Sequence, residues 1–102
     1  MPWNIEITDD ASTEMRLTYY YIFLVLSNPI AAINFLEKIS DAIDSLQEFP
    51  KRYKIREEEK FKCKNIRSMP VDNYLILYIV DEKSNTVTVA HIINGKQNIE
   101  NI

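Results

Sequence analysis

The stretch LTYYYIFLVLSNPIAAINF, from Leu17 to Phe35, carries no charged residue. A run of this kind is either a membrane span or helical surface that has to be covered. Ser27, Asn28 and Pro29 decide between the two, because Pro ends one helix and is well suited to start the next. Neither half is then long enough to cross a bilayer. The run predicts two helices joined by a few residues, an antiparallel helical hairpin. Thr8, Asp9 or Asp10 can cap the first helix, and acids there suit its dipole. That helix runs to about Leu26, with Met15, Tyr19, Ile22 and Leu26 as its buried stripe. Asn28 caps the second helix, Pro29 takes its first position, and the segment EFP ends it at Pro50. Phe35 or Leu36, Ile39, Ile43 and Leu46 form its buried stripe.

The first helix is too apolar for a single buried face. Leu17, Tyr20, Tyr21, Phe23 and Leu24 lie away from the predicted stripe, and a two-layer domain buries one stripe of a helix, not its circumference. A helix buried on all sides would absorb them. The stronger expectation is a surface reserved for a partner, since large apolar patches on small domains mark interfaces.

The remainder reads as strand and turn. WNIEIT alternates and predicts a first strand. Residues 51–60 predict a charged loop, and KFKCKNIRSM a second strand with Phe61 and Cys63 inward and a break at Asn65. PVDN is a turn. YLILYIV, apolar throughout, predicts a central strand covered on both faces. DEKSN closes a hairpin to TVTVAHII, and Asn94-Gly95 turns the chain into a short tail. The expected architecture is α+β in the order β-α-α-β-β-β: an N-terminal strand, then an antiparallel helical hairpin packed on a twisted antiparallel sheet. With 102 residues it is one domain, 1–102, large enough for a real core.

Chemistry is sparse. The single Cys63 and the absence of a leader pattern at the N-terminus predict a reduced, cytoplasmic setting. The net charge of -3 is poor for a nucleic-acid binder. Charge is nevertheless concentrated: residues 51–67 hold eight of the twelve Lys and Arg. Cys63 reads as a core residue rather than a nucleophile. His91, the only imidazole, is a general base or a half-buried structural residue. Glu57, Glu58 and Glu59 read as a solvated loop and Asp72 as a turn former. Lys62, Lys64, Arg67 and Lys96 either clamp a phosphate backbone or are scattered surface charges. No metal cluster and no cofactor motif is present, so neither is expected.

The order of pieces says more than any one of them. ASTEMRLTYYYI, then LSNPIAAINFLEKISDAIDSLQEFP, then IRSMPVDNYLILYIVDEKSNTVTVAHIINGKQNIE resemble, in sequence order, the helices and final sheet of RelE/ParE-superfamily toxins, the toxic halves of bacterial type II toxin–antitoxin systems. The long pattern from Asn-Pro through Phe-Pro to Pro-Val, Asn-Tyr and Val-Asp-Glu is most similar to the ParE or plasmid-stabilisation branch. The resemblance implies a cognate antitoxin, for which Leu17, Tyr20, Tyr21 and Leu24 are the expected contact. It also implies one of two targets: DNA gyrase, bound without chemistry, or ribosome-bound mRNA, cleaved by clustered basic residues. In the second case Arg67, Lys64, Lys96 and His91 are the catalytic candidates. Leu75 and Gln97 stand where the RelE branch has arginines, and the chain ends at Ile102, before a C-terminal Tyr of that branch. These departures favour a gyrase inhibitor over an endoribonuclease or a non-toxic module that keeps only the antitoxin surface.

Overall fold

In the computed structural model, which describes residues 2–96, chain order is β1 (Asn4–Ile7), α1 (Asp9–Tyr20), α2 (Pro29–Ser45), α3 (Glu59–Lys62), β2 (Arg67–Val71), β3 (Tyr74–Asp81) and β4 (Thr86–Asn94). A π-helical turn over Tyr21–Val25 prolongs α1, and a 3-10 turn spans Pro50–Arg52. The helical hairpin packs on a four-stranded sheet of order β1-β4-β3-β2. The last three strands are antiparallel as expected, but β1 docks on β4 in parallel, so the sheet is mixed. Alternation marks a segment as a strand without naming its neighbour.

Both helix starts use the residues anticipated. Among the three candidates it is Thr8 that caps α1. Its Oγ1 accepts from the Ala11 N–H at 3.1 Å and donates to the Ala90 carbonyl at 2.9 Å. One hydroxyl thus caps a helix and ties it to β4. Thr8→Ala is expected to lower stability by about 1–2 kcal/mol, read as a lower urea midpoint at constant m-value. Asn28 Oδ1 accepts from the Ala31 N–H at 3.1 Å, with Pro29 in the first turn.

The π turn corrects the stripe of α1. Met15, Tyr19 and Ile22 face the core. The wider turn then changes the phase, so Phe23 packs inward and Leu26 is exposed. A strict 3.6-residue period cannot anticipate this shift. On α2 the expected stripe is intact: Phe35, Ile39, Ile43 and Leu46 are buried, and Phe35 meets Tyr74 of β3 edge-on at 4.8 Å.

β3 is covered on both faces, as its apolar run implies. Ile76 and Tyr78 join the main core beneath the helices, while Leu77 points to a second cluster with Phe61, Ile66 and Ile93. That second cover is not the expected strand. Residues 59–62 form α3, and Asn65 adopts φ 57° as its left-handed terminus. Asn65 N–H donates to Lys62 O and Ile66 N–H to Phe61 O, the pattern of a Schellman cap with Phe61 and Ile66 as its apolar contact. Cys63 is consequently exposed rather than buried. Alternating Lys and apolar residues over so few positions fit one helical turn as well as a strand.

Four turns hold ordinary residues in left-handed conformations, at Ser27, Phe49, Asp72 and Asn85. Asp72 (φ 53°) makes the two-residue β2–β3 turn, a tolerable place for Asp. Phe49 is different: it sits at φ 49°, ψ 52° and is 80 % exposed. A bulky residue there is strained and recovers nothing by burial. Phe49→Asn is expected to raise stability by about 1 kcal/mol, measured by thermal unfolding. Among the described residues, no helix is long and apolar enough to cross a membrane.

Candidate functional site

Two surfaces remain after the core is accounted for, one apolar and one basic. The apolar one lies on the outer side of α1 and its π extension. Leu17, Tyr20, Tyr21 and Leu24 are 61 %, 49 %, 53 % and 66 % exposed, so all four expected partner residues stand on the surface together. Phe23, grouped with them by sequence, instead packs beside Tyr19 at a ring separation of 5.8 Å. Val25, Leu26, Ile30 and Ile33 extend the exposed apolar surface over the hairpin tip. The uncharged run announced this surplus, but the π turn determined which residues carry it.

The basic surface is the segment 51–67, and much of its charge is committed to holding the segment in place. Arg52 caps the end of α2, donating to Glu48 O at 2.8 Å and to Ser45 Oγ at 2.7 Å. Lys51 pairs with Glu82. Arg56 pairs with Glu58 and reaches Ser68 Oγ at 3.2 Å. Its hydrogen bond holds the Glu58 carboxyl below the usual carboxylate range. Arg67 donates to Tyr53 O at 2.7 Å and Lys51 O at 3.3 Å. The Arg67 guanidinium thus satisfies two carbonyls in a stretch with little ladder pairing of its own.

Of the candidate catalytic residues, Arg67 and Lys96 are held on separate parts of the sheet. β3 lies between β2 and β4, so the strand of Arg67 and the strand that leads to Lys96 are not neighbours. Arg67 stands opposite Tyr78, whereas Lys96 follows Asn94, which stands opposite Tyr74. Four residues along a strand are about 13 Å, and two strand spacings across add about 10 Å. Lys64 is exposed beyond α3. His91 is displaced by a bulge: Leu77 pairs with His91 and Tyr78 with Val89, which leaves Ala90 as the extra residue. His91 therefore shares the face of Leu77, not that of Val87 and Val89. Its Nδ1 lies 3.1 Å from Glu14 Oε2, and Glu14 Oε1 accepts from the Ile92 N–H at 3.1 Å. A carboxylate only accepts, so this contact requires the proton on Nδ1 and leaves Nε2 as the nitrogen open to other chemistry. Glu14 occupies the edge of β4 just beyond the end of β1, a role that no sequence pattern marks.

Gly95 closes the far end of the sheet. Its N–H donates to Asn73 O at 2.7 Å, and a Cβ there would stand 3.1 Å from that oxygen. The Gln97 position lies outside the described residues. Among the described residues, no group of three or more His, Cys, Asp or Glu could hold a metal ion.

The model of the ParE toxin of type II toxin–antitoxin systems, parDE, matches residues 5–99. No curated protein sequence matches the chain. Among solved structures, a chain of the chromosomal ParDE system of P. aeruginosa superposes with TM-score 0.69 at 16% identity, over 90% of this chain and 95% of that one. A chain of the toxin–antitoxin complex RelBE2 of Mycobacterium tuberculosis gives 0.66 at 17% identity, covering 92% and 99%. The isolated RelE toxin of E. coli gives 0.59 at 13% identity, covering 97% and 90%.

Proposed function

This chain belongs to the ParE toxin family of type II toxin–antitoxin systems, and on that premise we propose that it arrests growth by binding DNA gyrase and is neutralised by an antitoxin seated on the outer side of α1. The observation that carries the reading is the division of labour between the two surfaces. The apolar side chains of α1 are free for a partner, while the basic side chains are spread out and largely bonded within the fold.

Stabilising a phosphorane-like charge needs cations aimed at one point. β3 lies between the strand of Arg67 and the strand that leads to Lys96, and the Arg67 guanidinium already serves two carbonyls. This supports an inhibitor that binds over one that cuts. The helix stripe supports a helical or extended antitoxin segment laid into an apolar surface. The ParDE and RelBE2 assemblies among the structural neighbours are toxin–antitoxin systems by name.

The test is a short induction of the chain in a bacterium without any antitoxin, following growth, plasmid supercoiling and mRNA 5′ ends together. Arrest with lost supercoiling and intact mRNA is expected. Arrest with new cuts inside translated codons would replace this reading with an endoribonuclease, for which His91 Nε2 and Lys64 are the first residues to substitute. Normal growth would overturn this reading in favour of a non-toxic relic or a module that only binds antitoxin.

A further inference from the structure

The exposed stripe of α1 has an internal symmetry. Leu17, Tyr20, Tyr21 and Leu24 read Leu-x-x-Tyr-Tyr-x-x-Leu, the same in both directions about the midpoint between the two tyrosines. Exposure follows the same symmetry, 61 % against 66 % for the leucines and 49 % against 53 % for the tyrosines. A stripe of this form can pack on a copy of itself run antiparallel, each residue meeting its mirror position.

We propose that this chain, when no other protein covers α1, forms a two-fold symmetric homodimer in which the α1 helices lie antiparallel, Leu17 against Leu24 and Tyr20 against Tyr21 of the second copy. Three observations select a second copy as occupant. The pairing is self-complementary, which a surface built only for a foreign segment has no reason to be. No charge lies between Arg16 and Glu37, so the dyad brings no like charges together. A parallel arrangement would instead set Arg16 against its own copy, whereas the antiparallel one sets it beside Val25, with the two arginines about 14 Å apart along the axis. The third is area. Side chains of this size at these exposures, with Val25, offer at most on the order of 500 Å² per copy, or on the order of 1,000 Å² for two copies together, which reaches the lower bound of a specific interface when the whole stripe is covered. The π turn contributes directly, because it holds Phe23 inward while Leu24 and Val25 stand out.

An antitoxin on the same four residues would exclude the second copy, so binding the antitoxin would dissociate the dimer. That consequence alone rests on the function proposed above, and the measurements below use no antitoxin.

The full chain is examined by sedimentation equilibrium through the micromolar range, and a reversible monomer–dimer transition is expected. Arrangement is then read by cross-linking in a Cys63→Ser background. Leu17→Cys mixed with Leu24→Cys should give a covalent dimer under mild oxidation, while neither variant alone should. Equivalent positions across the dyad are separated by at least seven residues, about 10 Å, beyond disulfide reach. Both leucines are exposed, so the variants should melt close to the parent. Tyr20→Ser should weaken association at least tenfold. A monomer throughout the range overturns the proposal, as does cross-linking of either variant with itself or equal cross-linking in every combination.

Discussion

Tyr78→Ala is expected to be the most damaging single truncation in the sheet, lowering stability by about 4 kcal/mol. Against a total that for small domains lies around 5–15 kcal/mol, this is a large fraction. Tyr78 is fully buried at the centre of β3, between Arg67 of β2 and Val89 of β4, and its ring belongs to the main core. Its hydroxyl donates to Pro50 O at 2.6 Å. The residue therefore fills the core and also fastens the chain where it leaves α2. Tyr78→Phe separates the two roles. It keeps the ring, leaves the Pro50 carbonyl without this donor, and should cost about 1–3 kcal/mol. Equal losses for the two variants in urea unfolding would refute a packing role for the ring.

The same burial makes stability depend on alkaline pH. Burial pushes the Tyr78 phenol up, and burial also raises Tyr74. A raised folded-state value means that the unfolded chain loses its proton first, near pH 10. The stabilisation is complete below that pH and is lost as pH rises through the folded-state values. Tyr78→Phe should make the alkaline decline shallower.

The second large effect concerns binding. Tyr20→Ser combined with Leu24→Asp is expected to weaken the antitoxin complex about a thousandfold, at roughly 2 kcal/mol for each anchoring residue. The isolated monomer, melted below the concentration at which the proposed dimer forms, should hardly respond, since both side chains are largely exposed and surface changes usually stay within about 0.5 kcal/mol. In cells that supply antitoxin, the double variant should escape neutralisation and arrest growth. Titration calorimetry and thermal melting, run on the same preparation, decide the matter. Parallel losses in both would show that the stripe supports the fold and not the partner.

Much of the fold was legible because local chemistry and global packing agree. Asn28-Pro29 could only begin a helix after a break, and the structure places the Asn28 cap as anticipated. The stripe of α2 follows an unbroken period and is buried throughout. The seven apolar residues of YLILYIV required cover on both faces, and β3 has it. Errors arose where one pattern served two structures. Lys-Phe-Lys-Cys satisfied strand alternation and a helical turn equally, and the Schellman cap at Asn65 settled it for the helix. One inserted residue at Ala90, which alternation does not reveal, places His91 on the face of β4 opposite Val89.

A helical hairpin with a sheet, and an α1 with more apolar surface than one core can use, are already written in composition and period. Composition and period encode those properties because burial is paid residue by residue. Which side chains remain outside, which strand neighbours which, and which carbonyls the cations bond are settled only when the chain packs. The π turn exposes Leu26 while retaining Phe23, β3 separates Arg67 from Lys96, and Arg67 reaches back to carbonyls fourteen and sixteen residues away. These depend on register and helix phase, which a one-residue shift overturns while the composition stays the same.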